Sequence, residues 1–142
     1  MSKRKSEFFI VDIFVSILKI EEYIKNTHSS EELKYDCKTW DAVIRELEII
    51  GEATKILIDQ NIFNSDKRNI VDFRNVIAHH YFGIDEEIVW DILTTKLPIY
   101  KAEVKSLIKK FPDRDAILNN FIQDNNRIDF LVKQLKKLKG NQ

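Results

Sequence analysis

The stretch Arg74-Asn75-Val76-Ile77-Ala78-His79-His80-Tyr81 gathers an arginine, two histidines and a tyrosine within eight residues. A guanidinium matches the geometry and charge of a phosphate, and an imidazole exchanges protons near neutral pH. Together they point to phosphodiester chemistry. Cleaving RNA takes a base for the ribose 2′-hydroxyl, an acid for the departing 5′-oxygen and positive charge on the strained phosphorane. Histidine and arginine supply all three. Because the 2′-hydroxyl is an internal nucleophile, this chemistry calls for no metal and no cofactor.

Spacing alone does not assemble such a site. On an ideal helix Tyr81 falls about 20° from the face of Arg74, whereas His79 falls about 140° away. Either the helix loosens before Gly83, or a second copy of the motif supplies the missing partner across a symmetric dimer. In a dimer one imidazole can act as base and the other as acid. The plainer reading pairs Arg74 with Asp72 or Asp85, puts His79 at a helix end and buries Tyr81; on spacing alone it outweighs the catalytic one. By chemistry alone His80 is as eligible as His79. A metal reading is weaker, since neighbouring histidines face different sides of a helix and no i, i+4 histidine pair is present. His28 is isolated in sequence, and Cys37 reads as a buried structural thiol. Neither Gly51 nor Gly83 sits in a glycine-rich phosphate loop.

The elements that must position these residues read as helices throughout. Phe9, Ile13, Ile17, Ile20 and Ile24 predict a first amphipathic helix that fades near 26–30. A second runs from about Tyr35 or Thr39 to Asp59 on the stripe Val43, Leu47, Ile50, Thr54 and Leu57, widened by Trp40, Ile44 and Ala53. Gly51 inside it suggests a close helix crossing. After a turn over 61–66, Ser65 or Asp66 is placed to cap a third helix carrying Val71, Phe73, Ile77 and the motif. Gly83 breaks that pattern, and Asp85 caps a fourth helix with Ile88, Val89, Ile92, Leu93 and Leu97. Pro98 starts or kinks the next segment, in which Ile99, Tyr100, Val104, Leu107 and Ile108 lead to Phe111 and Pro112. Ile117, Leu118, Phe121 and Ile122, then Ile128, Leu131, Leu135 and Leu138, form a last helix or two, divided by the polar run 123–127.

Three glycines and two prolines among 142 residues, with 44% hydrophobic and 32% charged residues interspersed, fit an all-α domain. That length buries a sizeable core without staples. A single cysteine cannot form an internal disulfide, and no charged start precedes a long apolar run, so a reducing cytoplasm is expected. Stretches such as 13–18 are far short of the roughly 20 apolar residues that span a bilayer, so no membrane is expected. Charge balances at 23 basic against 23 acidic residues, which argues against coating nucleic acid by bulk charge. The halves differ, however: residues 1–93 carry net −6 and residues 94–142 net +6. The basic half is a solvated helical surface or an electrostatic path for RNA.

The motif resembles the Arg-x4-His-x-Tyr signature of HEPN-superfamily toxins, specifically the HepT-like ribonucleases. Asp41-Ala42-Val43-Ile44-Arg45-Glu46-Leu47-Glu48-Ile49-Ile50-Gly51-Glu52-Ala53 is similar to the family's second-helix segment. Tyr81-Phe82-Gly83-Ile84-Asp85 and Val89-Trp90-Asp91-Ile92 resemble the segments on the C-terminal side of its motif. The resemblance implies a HEPN-type antiparallel helical bundle over 1–111, a homodimer whose motifs meet in a cleft, and metal-independent endonucleolytic attack on an RNA such as tRNA or mRNA. It implies a partner as well, a minimal nucleotidyltransferase antitoxin of a type VII-like system, similar to enzymes that transfer AMP from ATP. By position Arg74 would hold the scissile phosphate, Asn75 would assist polar positioning, His79 would transfer protons and Tyr81 would receive AMP. A second reading keeps the fold as a catalytically inactive nucleotide- or protein-binding module. The Pro-Trp approach common before the family motif is replaced by Asn64-Ser65-Asp66-Lys67-Arg68-Asn69, so a different cleft entrance is expected. Residues 112–142 are expected to form a C-terminal helical extension packed on, or extending, the same domain, where they contribute RNA affinity or oligomer contacts.

Overall fold

A computed structural model describes residues 4–67, 72 and 84–140. These are all helical or connecting residues, with no strand among them. The order is α1 (Ser6–Tyr23), α2 (Ser30–Tyr35), α3 (Cys37–Asp59), a 3-10 turn (Ser65–Lys67), α4 (Glu86–Asp91), a π-helical segment (Ile92–Lys96), α5 (Leu97–Ile108), α6 (Arg114–Asp124) and α7 (Asp129–Leu138).

Helix α1 is the axis of the molecule. All six residues from Ile13 to Leu18 are buried, more than one full turn, so the middle of α1 is covered on every side rather than along one stripe. This corrects the amphipathic reading. One side packs along α3 and α5, while α6 and α7 fold back over α1, with Phe8 meeting Phe121 edge-on at 5.8 Å between ring centres. Ile117, Leu118, Phe121, Leu131, Leu135 and Leu138 belong to the same apolar cluster as Phe14, Leu47 and Val104. Covering the second face of α1 thus needs the C-terminal residues, and Ser16, the polar residue within the stretch from Ile13 to Leu18, is buried with it.

Local signals set the boundaries. The second predicted helix forms as α3, and a short helix that the spacing does not predict, α2, precedes it. Ser29 Oγ accepts from the Glu32 amide at 3.1 Å, and the Glu32 carboxylate accepts from the His28 amide at 2.6 Å, so reciprocal capping starts the short α2. Asp36 then starts α3 by accepting from the Thr39 amide and hydroxyl at 3.2 and 2.7 Å. The stripe Val43, Leu47, Ile50, Thr54 and Leu57 is buried as expected, and Gly51 is buried with it. At the far end Asn61 adopts φ 61°, the left-handed conformation asparagine tolerates. Its amide bonds the Ile58 carbonyl at 2.9 Å, and the Ile62 amide reaches the Leu57 carbonyl at 2.9 Å, which closes α3 as a Schellman motif.

Asp85 caps α4 through the Glu87 amide at 2.8 Å, as its position predicts. Pro98 has no amide proton to give, and the π-helical turn immediately before it absorbs the break while Thr94 Oγ1 bonds the Trp90 carbonyl at 2.8 Å. Two residues read onto the apolar face, Ile88 and Ile99, are exposed instead. The polar run 123–127 separates α6 from α7, giving two helices rather than one.

Candidate functional site

Arg74, Asn75, His79, His80 and Tyr81 lie outside the described residues, as does the third predicted helix apart from its start, where Ser65–Lys67 form a 3-10 turn, and Asp72, which is helical. The structure does describe both points from which that stretch departs and to which it returns.

The departure point is built on α3 and α5. Phe63 packs edge-on against Tyr100 at 6.1 Å, held there by the bond of its amide to the Leu57 carbonyl. Tyr100 is 2% exposed, and its hydroxyl shares a 2.8 Å hydrogen bond with Thr54 Oγ1, which also donates to the Ile50 carbonyl at 2.7 Å. Burial pushes the Tyr100 phenol well above its ordinary range, so it acts here as a neutral strut. Lys67, the last described residue before the stretch, pairs with Glu103 at 2.7 Å while its ammonium sits 5.9 Å from the Tyr100 ring centre.

The return point is Ile84, which packs on the core and closes one side of a 260 Å³ cleft lined by Trp40, Asp41, Ile44, Arg45 and Glu48 of α3. Asp85 immediately starts α4, and Lys34 of α2 ties that helix down through Glu86 at 3.5 Å. Arg45 and Glu48 also line a larger groove of 380 Å³ between α1 and α3, with Phe9, Asp12, Ile49 and Glu52. Of its three carboxylates Asp12 is paired with Arg4, so with Arg45 also present the lining is only mildly acidic.

Sequence reasoning passed over Glu46. It is 6% exposed, and its Oε1 has no hydrogen-bond partner among the described residues. The signal was present, since Glu46 stands three residues after Val43 and four before Ile50, on the buried stripe of α3. Burial raises the Tyr23 phenol above its ordinary value, and the Glu46 charge adds to the shift.

Cys37 is exposed, which corrects its reading as a buried thiol. Among the described residues no group of three or more His, Cys, Asp or Glu side chains is disposed to hold a metal ion, and no helix is long and apolar enough to cross a membrane.

Family comparison supplies what the two anchor points cannot. The sequence profile described as "Ribonuclease HepT-like" matches residues 13–107, a span that encloses the motif and both anchors. The chain belongs to the HepT-like family. Among its relatives, a candidate RNase of Methanocaldococcus jannaschii is 36% identical over 118 residues, covering 81% of this chain and 97% of that protein. A second candidate RNase of the same organism is 35% identical over 108 residues, 74% of this chain and 98% of its own length. The probable ribonuclease HepT of Thermococcus cleftensis is 35% identical over 115 residues, 75% of this chain and 99% of its own. No solved structure matches the chain at a significant level. The HepT-like match ends at 107, before α6 and α7 begin.

Proposed function

We propose that this HepT-like protein is a metal-independent endoribonuclease, the toxin of a prokaryotic HEPN/minimal nucleotidyltransferase pair of the type VII-like kind, acting in the cytoplasm as a homodimer. The observation that carries the reading is the family match over 13–107 together with the Arg-x4-His-x-Tyr motif inside it. His79 takes the proton from a ribose 2′-hydroxyl. The 2′-oxygen attacks the adjacent phosphorus, and the 5′-oxygen leaves with a proton from the second imidazole of the dimer, so the products are a 2′,3′-cyclic phosphate and a 5′-hydroxyl. Arg74 carries the charge that builds on the phosphorane, and Asn75 assists in positioning it.

Control follows from Tyr81. The antitoxin directs the tyrosine oxygen onto the α-phosphorus of ATP; pyrophosphate leaves, and the tyrosine keeps an AMP group. A phosphate and a base would then stand beside Arg74, where the scissile phosphate of RNA must bind.

The test is cleavage of defined tRNA and mRNA fragments by unmodified protein in excess EDTA. Ends bearing 2′,3′-cyclic phosphate are expected, with rates falling about 10²–10⁴-fold in His79→Ala and similarly in Arg74→Ala. Cleavage that survives both substitutions, or none by wild-type protein with Tyr81 verified as unmodified, overturns the reading. Intact mass after treatment with antitoxin and ATP should rise by AMP groups in wild-type protein and stay constant in Tyr81→Phe.

A further inference from the structure

Among the described residues the exposed charges of the C-terminal hairpin make almost no ion pairs. Helix α7 buries Leu131, Leu135 and Leu138 and turns Lys133, Lys136 and Lys137 to solvent. None of the three lysines makes an ion pair with a described residue; Asp129, one turn before Lys133, does not reach it. At the same end of the molecule Lys109 and Lys110 close α5, equally exposed and without an ion pair among the described residues. Two bonds hold the helix ends together there. Arg114 Nη1 donates to the Lys109 carbonyl at 2.9 Å, and the Gly140 amide donates to Asp115 Oδ1 at 2.8 Å. The nearby carboxylates are engaged already, Asp113 with Lys5 at 3.2 Å and Asp115 with Gly140 and Arg114. Asp124 and Asp129 stand at the opposite end of the hairpin, beside its turn, so what remains outward at this end is positive.

We propose that Lys133, Lys136 and Lys137 of α7, joined by Lys109 and Lys110, form an accessory track for the sugar–phosphate backbone of RNA, on the C-terminal side of the HepT-like match. This rests on the ribonuclease reading for the identity of the polyanion. Residues 1–93 carry net −6 and offer RNA little long-range attraction outside the motif, whereas 94–142 carry net +6. Lysines on a helix fixed by three buried leucines are arrayed in advance, so ordering them on a strand costs little beyond their own rotamers. An anionic membrane is a poorer fit, because interfacial helices insert an apolar face and that face of α7 is occupied by the core.

Binding should be measured with full-length protein and a 2′-O-methyl RNA strand, which lacks the internal nucleophile and stays intact. Affinity is followed across a salt series. In K133A/K136A/K137A the slope of log affinity against log salt should shrink by about 2, at about 0.7 per phosphate contact, leaving a salt dependence between 50 and 200 mM roughly 20-fold weaker than in wild type. The triple Lys→Arg variant should keep the wild-type slope. An unchanged slope in the alanine variant overturns the track, as does unchanged RNA binding accompanied by lost binding to phosphatidylserine vesicles or an altered assembly mass. Cleavage of the unmodified strand by wild-type protein, scored alongside, tests the ribonuclease reading separately, since the binding slopes do not depend on it.

Discussion

The body of the molecule up to Ile108 and the hairpin after it share one core but present opposite surfaces. Inside, Phe121 of the hairpin meets Phe8 of α1, and Leu131 and Leu135 are as buried as Val43 or Leu57. Outside, the α1–α3 groove of the body is lined by Asp12, Glu48 and Glu52 around Arg45, whereas α7 shows a row of lysines without ion pairs among the described residues. The HepT-like match stops at residue 107, between the two. Integration of a segment into a core and the chemistry of its surface are therefore separable properties. The hairpin stabilises the same α1 that the body packs on, while its solvent face is open to a different task.

Leu135→Ala strikes hardest at the shared core. The residue is fully buried on the inner face of α7, so its loss should cost about 2–5 kcal/mol through lost transfer energy and the cavity left behind. Both tryptophans, Trp40 and Trp90, belong to the body. If hairpin and body unfold as one unit, the denaturant midpoint followed by tryptophan fluorescence should fall together with that followed by far-ultraviolet circular dichroism. A fluorescence midpoint that stays put would make the hairpin an independent appendage.

A smaller effect is expected at the strut under the body's anchor. Tyr100→Phe removes the hydrogen bond to Thr54 but leaves Thr54 donating to the Ile50 carbonyl, so no polar group is orphaned and about 0.5–1.5 kcal/mol should be lost. The pH dependence arises from the raised phenol. Above the ordinary tyrosine value of 10.0 the unfolded chain releases a proton that the buried phenol keeps, so the Tyr100 contribution falls as pH rises through that value. Urea denaturation at about pH 9 and about pH 11 should show a steeper loss in wild type than in Tyr100→Phe. Equal losses would mean that the phenol ionises in place. The hairpin holds no tyrosine, so this alkaline sensitivity belongs to the body alone.

How much of the fold can be read from the sequence depends on the range of the forces involved. The α3 stripe, the Asp85 cap, the turn after Asp59 and the split between α6 and α7 all depend on residues a few positions apart, and all were legible. Helix α2 was not, because six residues with Leu33 as their one buried apolar side chain make no periodic pattern; the Ser29/Glu32 capping pair was its signal. The burial of α1 on every side was hidden, since it depends on residues more than a hundred positions away folding back. Cys37 stands six positions before Val43, which turns it about 120° off the buried stripe, and that arithmetic was available. For the site, residue types and order sufficed to find the motif. The contacts at the two ends of that stretch, Phe63 on Tyr100 and Ile84 at the cleft with Trp40, join segments 37 and 44 positions apart and had no local trace.

The finest distinction between body and hairpin concerns how the chain end is fastened. A Cβ on Gly140 would stand 2.7 Å from Arg114 Nη2, too close to keep both in place. The obstacle is the tip of a flexible side chain, so the guanidinium can swing aside. The Lys109 carbonyl it leaves lies at an exposed helix end, where water can replace the bond. The bond from the residue 140 amide to Asp115 is independent of the side chain. Gly140→Ala should therefore cost less than about 0.5 kcal/mol, seen as a slight fall in the urea midpoint at constant slope. A loss above about 1 kcal/mol would locate the hold on the hairpin in this clip rather than in Leu131, Leu135 and Leu138, reversing the division between an apolar interior that fastens the hairpin and a charged exterior that does not.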